Sequence, residues 1–271
     1  MAAPVWGESV LVITAHAGDY LIGAGGTLAG FASQGHTVTI VQVTNDEKNS
    51  VSLGPAETQK ANADDARRAA SVLGAREVVF LGHKSGELGY ISSTELREEL
   101  FGLIRFFKPR VLFIPDPYIH YDPNRDHHYV GKAAEEAWGY SGGSTFAPEL
   151  NRMGIAPYGA PEVFYYAVAR PYRPGEGGDG PAKFRPVDIT ASFERKLRAI
   201  LALHTANELY ASHAAGTEAA DEKVRSLVTN LARTVGQKHG FRYAEEFNHV
   251  GRTEGLPEHV AERARPKAKR E

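Results

Sequence analysis

The sequence contains no cysteine at all. A disulfide framework, a thiolate zinc site and a cysteine nucleophile are therefore excluded, and any metal ion must be held by His, Asp or Glu. Long apolar runs are scarce too. The longest one near the start, 10–15, is far too short for a secretory h-region or a spanning helix, so we expect no membrane association and a cytoplasmic location.

The chain also lacks an excess of charge of either sign. Its formal net charge is −2, which provides no overall field for nucleic acid or an anionic membrane. With 271 residues and 42% hydrophobic content, it can bury enough apolar surface to exclude bulk disorder. We expect one domain over residues 1–261, followed by a solvated, locally basic tail over 262–271.

What the sequence does contain is an alternation of short β-rich runs with longer helical stretches. Strands are predicted at 9–15, 37–43, 78–81, 111–114 and 163–168. Helices are predicted at 27–33, 61–73, from the capping box at 92–95 to Pro109, at 126–138, from residue 193, and at 223–235. This order predicts an α/β fold with a doubly wound, mainly parallel sheet and helices on both faces.

Ionisable residues are concentrated just after the predicted strands. In such sheets, ligands bind at the carboxyl ends of the strands, so these positions are the candidate site. The residues found there are His16, Asp19, Asp46, Glu47, His83, Asp116, His120, Asp122, Asp126, His127 and His128. The loops at 140–160 and 171–181 are expected to shape the pocket.

Three of these residues form a plausible metal-binding set. His16 and Asp19 follow the first strand at i and i+3, and His127 opens the helix after the fourth strand. Two imidazoles and one carboxylate leave open coordination positions, as catalytic metal sites require. Zn²⁺ is the expected ion, and Fe²⁺ or another divalent ion also suits the set. Asp126 is either a helix N-cap or the carboxylate that orients a ligand imidazole.

The glycines at 23, 25 and 26 allow a rival interpretation. A dinucleotide-binding fold carries G-x-G-x-x-G after its first strand and an acidic residue about twenty positions later, where Asp46 stands. The third glycine position holds Leu28 instead. The simpler interpretation is that the glycines let a helix pack closely on the sheet.

At this point the motifs resemble a known group, the PIG-L/LmbE-type metal-dependent deacetylase superfamily. Its usual signatures are A-H-P-D-D-E followed by G-G-T-L, and H-P-D-H-x-x-V-G. The matching segments here are A-H-A-G-D at 15–19, G-G-T-L at 25–28, D-H at 126–127, V-G at 130–131 and Y-A-E-E-F at 243–247. The resemblance implies a Rossmann-like α/β fold with zinc ligands at His16, Asp19 and His127.

Two departures from these signatures concern the chemistry. In the deacetylases the first Asp of the signature is the general base, and Gly18 stands in its place. Asn124 replaces the histidine that assists as an acid. Each such group typically contributes about 10²–10⁴ in rate. Either other residues have taken over these roles, or the reaction has changed.

The 4-oxalomesaconate hydratase branch of the superfamily departs in a similar way. These enzymes add water to a carbon–carbon double bond, and they also lack the first Asp. The likeness covers residues 122–127, 161–164, 188–190 and 208–210. It implies that Glu47, after the second strand, carries protons. A solvated loop carboxylate is the alternative role for Glu47.

Other polar residues complete the candidate set. His83 and His120, like Asp126, are candidate catalytic groups. Asn124, Arg125 and Lys48 are candidate contacts for a small anionic or sugar-like substrate, and each can equally be an ordinary surface residue. By analogy with relatives, a homo-oligomer is expected.

Three functions remain open from the sequence. The first is a zinc-dependent hydratase or lyase acting on a small unsaturated oxo-carboxylate. The second is an N-acetyl sugar or related amide deacetylase with displaced acid and base groups. The third is a non-catalytic member that binds a metal or ligand without turnover.

Overall fold

Five strands pair side by side in parallel and form most of one seven-stranded sheet. In chain order they are β1 (Ser9–Thr14), β2 (Thr37–Thr44), β3 (Glu77–His83), β4 (Val111–Pro115) and β5 (Glu162–Tyr166). The sheet order is β3-β2-β1-β4-β5, and it continues with antiparallel β7 (Ala244–Gly251) and β6 (Phe184–Asp188). β1 and β4 are therefore neighbours, although the chain between them is long.

The computed structural model describes residues 7–119, 122–168, 172, 184–214, 216 and 218–251. The helices are α1 (Asp19–Ser33), α2 (Pro55–Leu73), α3 (Ser93–Phe107), α4 (Arg125–Ser141), α5 (Pro148–Arg152), α6 (Phe193–Leu201), α7 (His204–His213) and α8 (Ala220–His239), with a 3₁₀ turn at Leu88–Tyr90. His120, the expected tail 262–271 and all of the 171–181 loop except Tyr172 lie outside these residues.

The two faces of the sheet bury separate apolar cores. Val10 and Val12 face a cluster built with α1, α2, α6 and α8. Leu11 and Ile13 face the opposite cluster, built with α3 and α4. This alternation follows from the two-residue period of a strand. The structure confirms the predicted mainly parallel α/β sheet with helices on both faces. Among the described helices, none is long and apolar enough to cross a membrane.

Several predicted element bounds were wrong. α1 begins at Asp19 rather than Thr27, and α2 begins at Pro55 rather than Ala61. The glycines in the first turns of α1 lower helix propensity, so those turns were not predicted as helix. Pro55 stands in the first turn of α2, where proline is favoured, but the predicted start lay six residues later. The capping box was also wrong. α3 starts where expected, but the Ser92 side chain makes no capping hydrogen bond.

The glycines of α1 allow a close approach between the helix and its neighbours. A Cβ at Gly26 would lie 2.7 Å from the side chain of Ile189, and a Cβ at Gly23 would lie 2.6 Å from that of Tyr166. Real Cβ atoms do not come so close, so only glycine fits at either position. These distances support the close-packing interpretation of the glycine motif.

A buried ion pair between Lys196 and Glu245 holds the middle of α1 in place. The Glu245 carboxylate, on β7, accepts hydrogen bonds from the backbone amides of Gly26 and Thr27, both at 2.8 Å. Lys196, on α6, donates to Glu245 at 2.6 Å and to the Ile22 carbonyl at 2.6 Å. Both charged side chains are 3% exposed. The pair therefore ties α1 to α6 and β7 inside the core.

Lys196→Met is expected to lower the free energy of unfolding by about 3–5 kcal/mol, because it leaves the buried Glu245 carboxylate without its cation. Chemical denaturation monitored by circular dichroism measures the loss. The matched control is Lys60→Met, which breaks an ion pair whose lysine is 81% exposed and is expected to cost under about 0.5 kcal/mol. If the two variants lost similar free energies of unfolding, the stabilising role of the buried Lys196–Glu245 pair would be contradicted.

Candidate metal centre

Two neighbouring strands deliver the candidate ligands to one edge of the sheet. β1 ends at Thr14, and the short loop after it carries His16 before α1 opens with Asp19. The chain after β4 leads into α4, whose first turn carries His127. Because β1 and β4 pair in parallel, their carboxyl ends open onto the same crevice.

The structure brings the three predicted ligands together. Ligand atoms of His16, Asp19 and His127 all lie within 4.8 Å of one another. Asp19 lies between the imidazoles: its Oδ2 is 3.1 Å from His16 Nδ1, and its Oδ1 is 3.3 Å from His127 Nε2. All three residues are buried. The arrangement can hold one metal ion.

One nitrogen in this group is left unsatisfied. His127 Nε2 is buried and forms no hydrogen bond with any residue that the structure describes. Its 3.3 Å contact with Asp19 Oδ1 is close enough for an ion pair but lacks hydrogen-bond geometry. A buried nitrogen that faces a carboxylate without bonding to it is what a shared cation would satisfy. The donor set therefore fits a divalent ion.

Each imidazole turns its second nitrogen toward another carboxylate. His16 Nε2 lies 3.3 Å from Asp126 Oδ2, and His127 Nδ1 lies 2.9 Å from Asp122 Oδ2. Such carboxylates fix the orientation of metal-binding imidazoles and make them stronger ligands. Asp126 therefore contacts His16 and not its sequence neighbour His127, because successive residues on a helix point about 100° apart.

The neighbouring carboxylates raise the pKa values of the two imidazoles, and the imidazoles lower the pKa of Asp19. Burial alone would lower the pKa of His16, but Asp19 and Asp126 raise it well above its ordinary value. Burial also acts to lower the pKa of His127, yet Asp19 and Asp122 raise it to about 9. Burial would raise the pKa of Asp19, and the two imidazoles hold it far below its ordinary value. The cluster requires positive charge, which either protons or a metal ion can supply.

The loop after β3 connects Glu47 to this cluster. Glu47 Oε2 accepts a hydrogen bond from the Ser85 amide at 3.2 Å, and Asp126 Oδ2 accepts one from the next amide, Gly86, at 2.6 Å. The Glu47 side chain is only 10% exposed. Lys48 donates to the Ser85 carbonyl at 2.6 Å. Glu47 is therefore linked to the imidazole of His16 by three hydrogen bonds and the Ser85–Gly86 peptide.

The remaining predicted residues have other contacts. His83 Nε2 lies 2.7 Å from Glu99 on α3. Asn124 accepts a hydrogen bond from the Asp126 amide at 3.0 Å and is the N-cap of α4. The alternative role of Asp126 as N-cap was therefore wrong. Arg125 is exposed and makes no hydrogen bond or ion pair with any described residue. His120 lies outside the described residues.

Two acidic residues beside the cluster were among the strand-end candidates from the sequence but were given no role at the metal site. Asp122 orients His127, and its only sequence signal is its place in the D-P-N-R-D-H segment that leads into α4. Asp46 accepts a hydrogen bond from the Ala17 amide at 3.1 Å. Nothing in the residue pattern distinguishes Asp46 from an ordinary loop aspartate.

Comparison with known proteins finds a family model and several relatives that match this chain. The family model described as GlcNAc-PI de-N-acetylase (PIG-L) matches residues 11–138. The chain is 26% identical over 249 residues to the diacetylchitobiose deacetylase of Thermococcus kodakarensis, covering 90% of this chain and 83% of the relative. It is also 26% identical over 206 residues to the 4-oxalmesaconate hydratase of Pseudomonas putida, covering 71% and 72%.

A solved structure agrees with these relatives. The N,N'-diacetylchitobiose deacetylase of Pyrococcus horikoshii superimposes with a TM-score of 0.76 at 27% identity, covering 90% of this chain and 84% of the other. The matched family segment contains all three candidate ligands, from His16 to His127. The chain therefore carries a PIG-L family domain at residues 11–138, and its similarity to a deacetylase and a hydratase of the LmbE/PIG-L superfamily supports an enzyme.

Proposed function

We propose that the protein is a zinc-dependent hydratase that adds water to a small unsaturated oxo-carboxylate, with the ion held by His16, Asp19 and His127. Nitrogen and carboxylate ligands that leave open positions suit Zn²⁺, and Fe²⁺ is the main competitor. When bound, the ion supplies Lewis-acid polarisation of a substrate oxygen. The buried, unpaired nitrogen of His127 supports this assignment of the ligands.

The observation that carries the choice of reaction is the absence of a titratable side chain at Gly18. Amide hydrolysis needs a base for the attacking water and an acid for the departing amine. Gly18 supplies no side chain, and Asn124 is already occupied as the N-cap of α4. Hydration of a conjugated double bond releases no amine, so the lost acid is not required for leaving-group protonation.

Glu47 is the proton carrier in this proposal. Its carboxylate is held at the crevice by the Ser85 amide, and Lys48 Nζ lies 3.9 Å from its other oxygen. In hydration, one proton leaves the water and one reaches the neighbouring carbon, so one carboxylate can serve both transfers. We assign Arg125, which is exposed at the start of α4 and forms no ion pair with any described residue, to contact a substrate carboxylate.

Deacetylation is the second candidate function, and a specific observation favours it. The similarity to a diacetylchitobiose deacetylase extends over 90% of this chain, further than the similarity to the hydratase. In that case Glu47 would replace the base missing at position 18. A member that binds metal without turnover is the third candidate.

One paired assay separates the three candidates. Protein loaded with Zn²⁺ is incubated with 4-oxalomesaconate, whose conjugation is lost on hydration, and separately with N,N'-diacetylchitobiose. We expect ultraviolet absorbance to fall in the first reaction, and no acetate to form in the second. Acetate release without hydration would replace the proposal by deacetylation. If neither signal appears although the metal is bound, the remaining candidate is a member that binds metal without turnover.

Gly18→Asp tests why this site differs from a deacetylase. Gly18 has φ −85 and ψ −27, and a Cβ there meets only Leu203 Cδ1, at 3.7 Å. The variant is therefore expected to fold and retain its metal. With a base restored, acetate release should rise by about 10²-fold over the wild-type background.

The control for this variant is Gly18→Asn, which has the same size but no basic carboxylate. Its acetate release is expected to stay at the wild-type background. Equal rates in wild type, Gly18→Asn and Gly18→Asp would mean that position 18 does not decide the reaction.

A further inference from the structure

Asp46 occupies an unusual backbone position beside the candidate metal centre. It is the second residue after β2, precedes Glu47 and is 2% exposed. Its φ is +52, in the left-handed region that Asp and Asn tolerate better than other non-glycine residues. The Asn62 side chain donates to its carbonyl at 2.9 Å, which holds the backbone in this conformation.

Three donors converge on the Asp46 carboxylate. Oδ2 accepts from the Ala17 amide at 3.1 Å and from Gln42 Nε2 at 3.0 Å, and Oδ1 contacts the Thr44 hydroxyl at 3.1 Å. Burial raises the pKa of Asp46 to about 6, so the fold holds this carboxylate against a desolvation penalty. A carboxylate kept at such a cost is expected to have a specific task.

The contact with Ala17 indicates what that task is. Ala17 lies between His16 and Asp19 in the chain, and the next residue, Gly18, has more backbone freedom than any other residue type. Without an anchor, this loop would lose conformational entropy each time it bound an ion. The Asp46 carboxylate ties the loop to the end of β2 before any ion is present.

We infer that Asp46 is a positioning residue that presets the His16–Asp19 loop for metal binding and, through its left-handed backbone, directs Glu47 toward the same crevice. The inference rests on the proposed metal site. It assigns Asp46 no contact with the ion or substrate, because its oxygens are already engaged by Ala17, Gln42 and Thr44.

Two variants distinguish the effect of the Asp46 side chain from the effect of its backbone conformation. Asp46→Asn keeps the size, the tolerance for positive φ and an oxygen that accepts from the Ala17 amide, because its N–H₂ can face the Thr44 hydroxyl, which donates to the Ala15 carbonyl. Asp46→Gly keeps the backbone conformation and removes the side chain. Asp46→Gly, which removes the anchor, is expected to weaken Zn²⁺ binding by about 10–100-fold, the usual effect of losing a partner that orients a ligand, and Asp46→Asn, which keeps it, by less than about threefold. Competition with a chromophoric chelator measures the dissociation constant.

The readout specific to positioning is the ligand-field absorption of the Co²⁺-substituted protein. We expect Asp46→Gly to change this spectrum, while Asp46→Asn and Asp64→Asn, the latter at an exposed aspartate on α2, leave it unchanged. Wild-type Zn²⁺ affinity and an unaltered Co²⁺ spectrum in Asp46→Gly would overturn the inference. So would a loss of thermal stability alone.

A measurement on the wild type guards against variants that fail to fold. In metal-free protein, amide hydrogen exchange at Ala17 is expected to be slow, because Asp46 already holds that N–H. Exchange at the rate of an unstructured loop would overturn the inference. A wild-type protein that binds no ion at all would instead refute the proposed function, so the two failures are distinguishable.

Discussion

His127→Ala is expected to abolish metal binding and to reduce turnover by at least about 10³-fold, since a Lewis acid contributes several kcal/mol to such reactions. The variant removes the nitrogen that faces Asp19 across the candidate ion position, and with it one of three ligands. Metal analysis by mass spectrometry should show about one ion per chain in the wild type and almost none in the variant.

The neighbouring histidine provides a matched control. His128 lies on the same helix turn, is exposed, and contacts only the Pro117 carbonyl and the ring of Tyr129 among the described residues. His128→Ala is expected to keep both the ion and the activity. If His127→Ala also kept its ion, the assignment of the ligand set would be incorrect.

Glu47→Gln is expected to keep the metal and lose turnover by at least about 10²-fold, as for other residues that transfer protons. Glutamine preserves the shape, and its carbonyl can still accept the hydrogen bond from the Ser85 amide. Steady-state kinetics on the active substrate measure the loss, and metal content confirms that the site is intact.

The control for Glu47 is another carboxylate of the same region. Glu87 accepts a hydrogen bond from Lys48 at 2.9 Å, and its side chain is 42% exposed. Glu87→Gln is expected to change turnover less than about threefold, because surface ion pairs contribute little. Unchanged kinetics in Glu47→Gln would remove Glu47 from the mechanism.

The central sheet could be predicted because β1 is a nearly continuous apolar run and β2 is rich in β-branched residues. β1 and β2 are buried along nearly their whole length, and that pattern is local in sequence. α7 could not be predicted, because it buries only Asn207 and Ala211. Its start depends on Asp65 of α2, which accepts a hydrogen bond from the Thr205 amide at 2.8 Å.

The candidate ligands could be selected because residue type and strand-end position both point to metal chemistry. Asp126 could be selected as a supporting carboxylate, but the imidazole that it contacts could not, and Asp122 was given no such role. Asp122 and Asp126 each contact one imidazole, but which one depends on how α4 is rotated against β1. For Asp46 the deciding feature is a backbone angle, and the sequence carries no pattern for it.

The hydrogen bonds between Glu245 and α1 affect when this helix becomes anchored during synthesis of the chain. Gly26 and Glu245 are 219 positions apart, and the carboxylate that grips the helix belongs to the last described strand. Before Glu245 has been synthesised, α1 can form but lacks the hydrogen bonds that the Glu245 carboxylate of β7 accepts from it. The helix that begins with Asp19 therefore reaches its final anchorage only after Glu245 has been synthesised, so a nascent polypeptide carries the candidate ligand Asp19 on an unanchored helix until then.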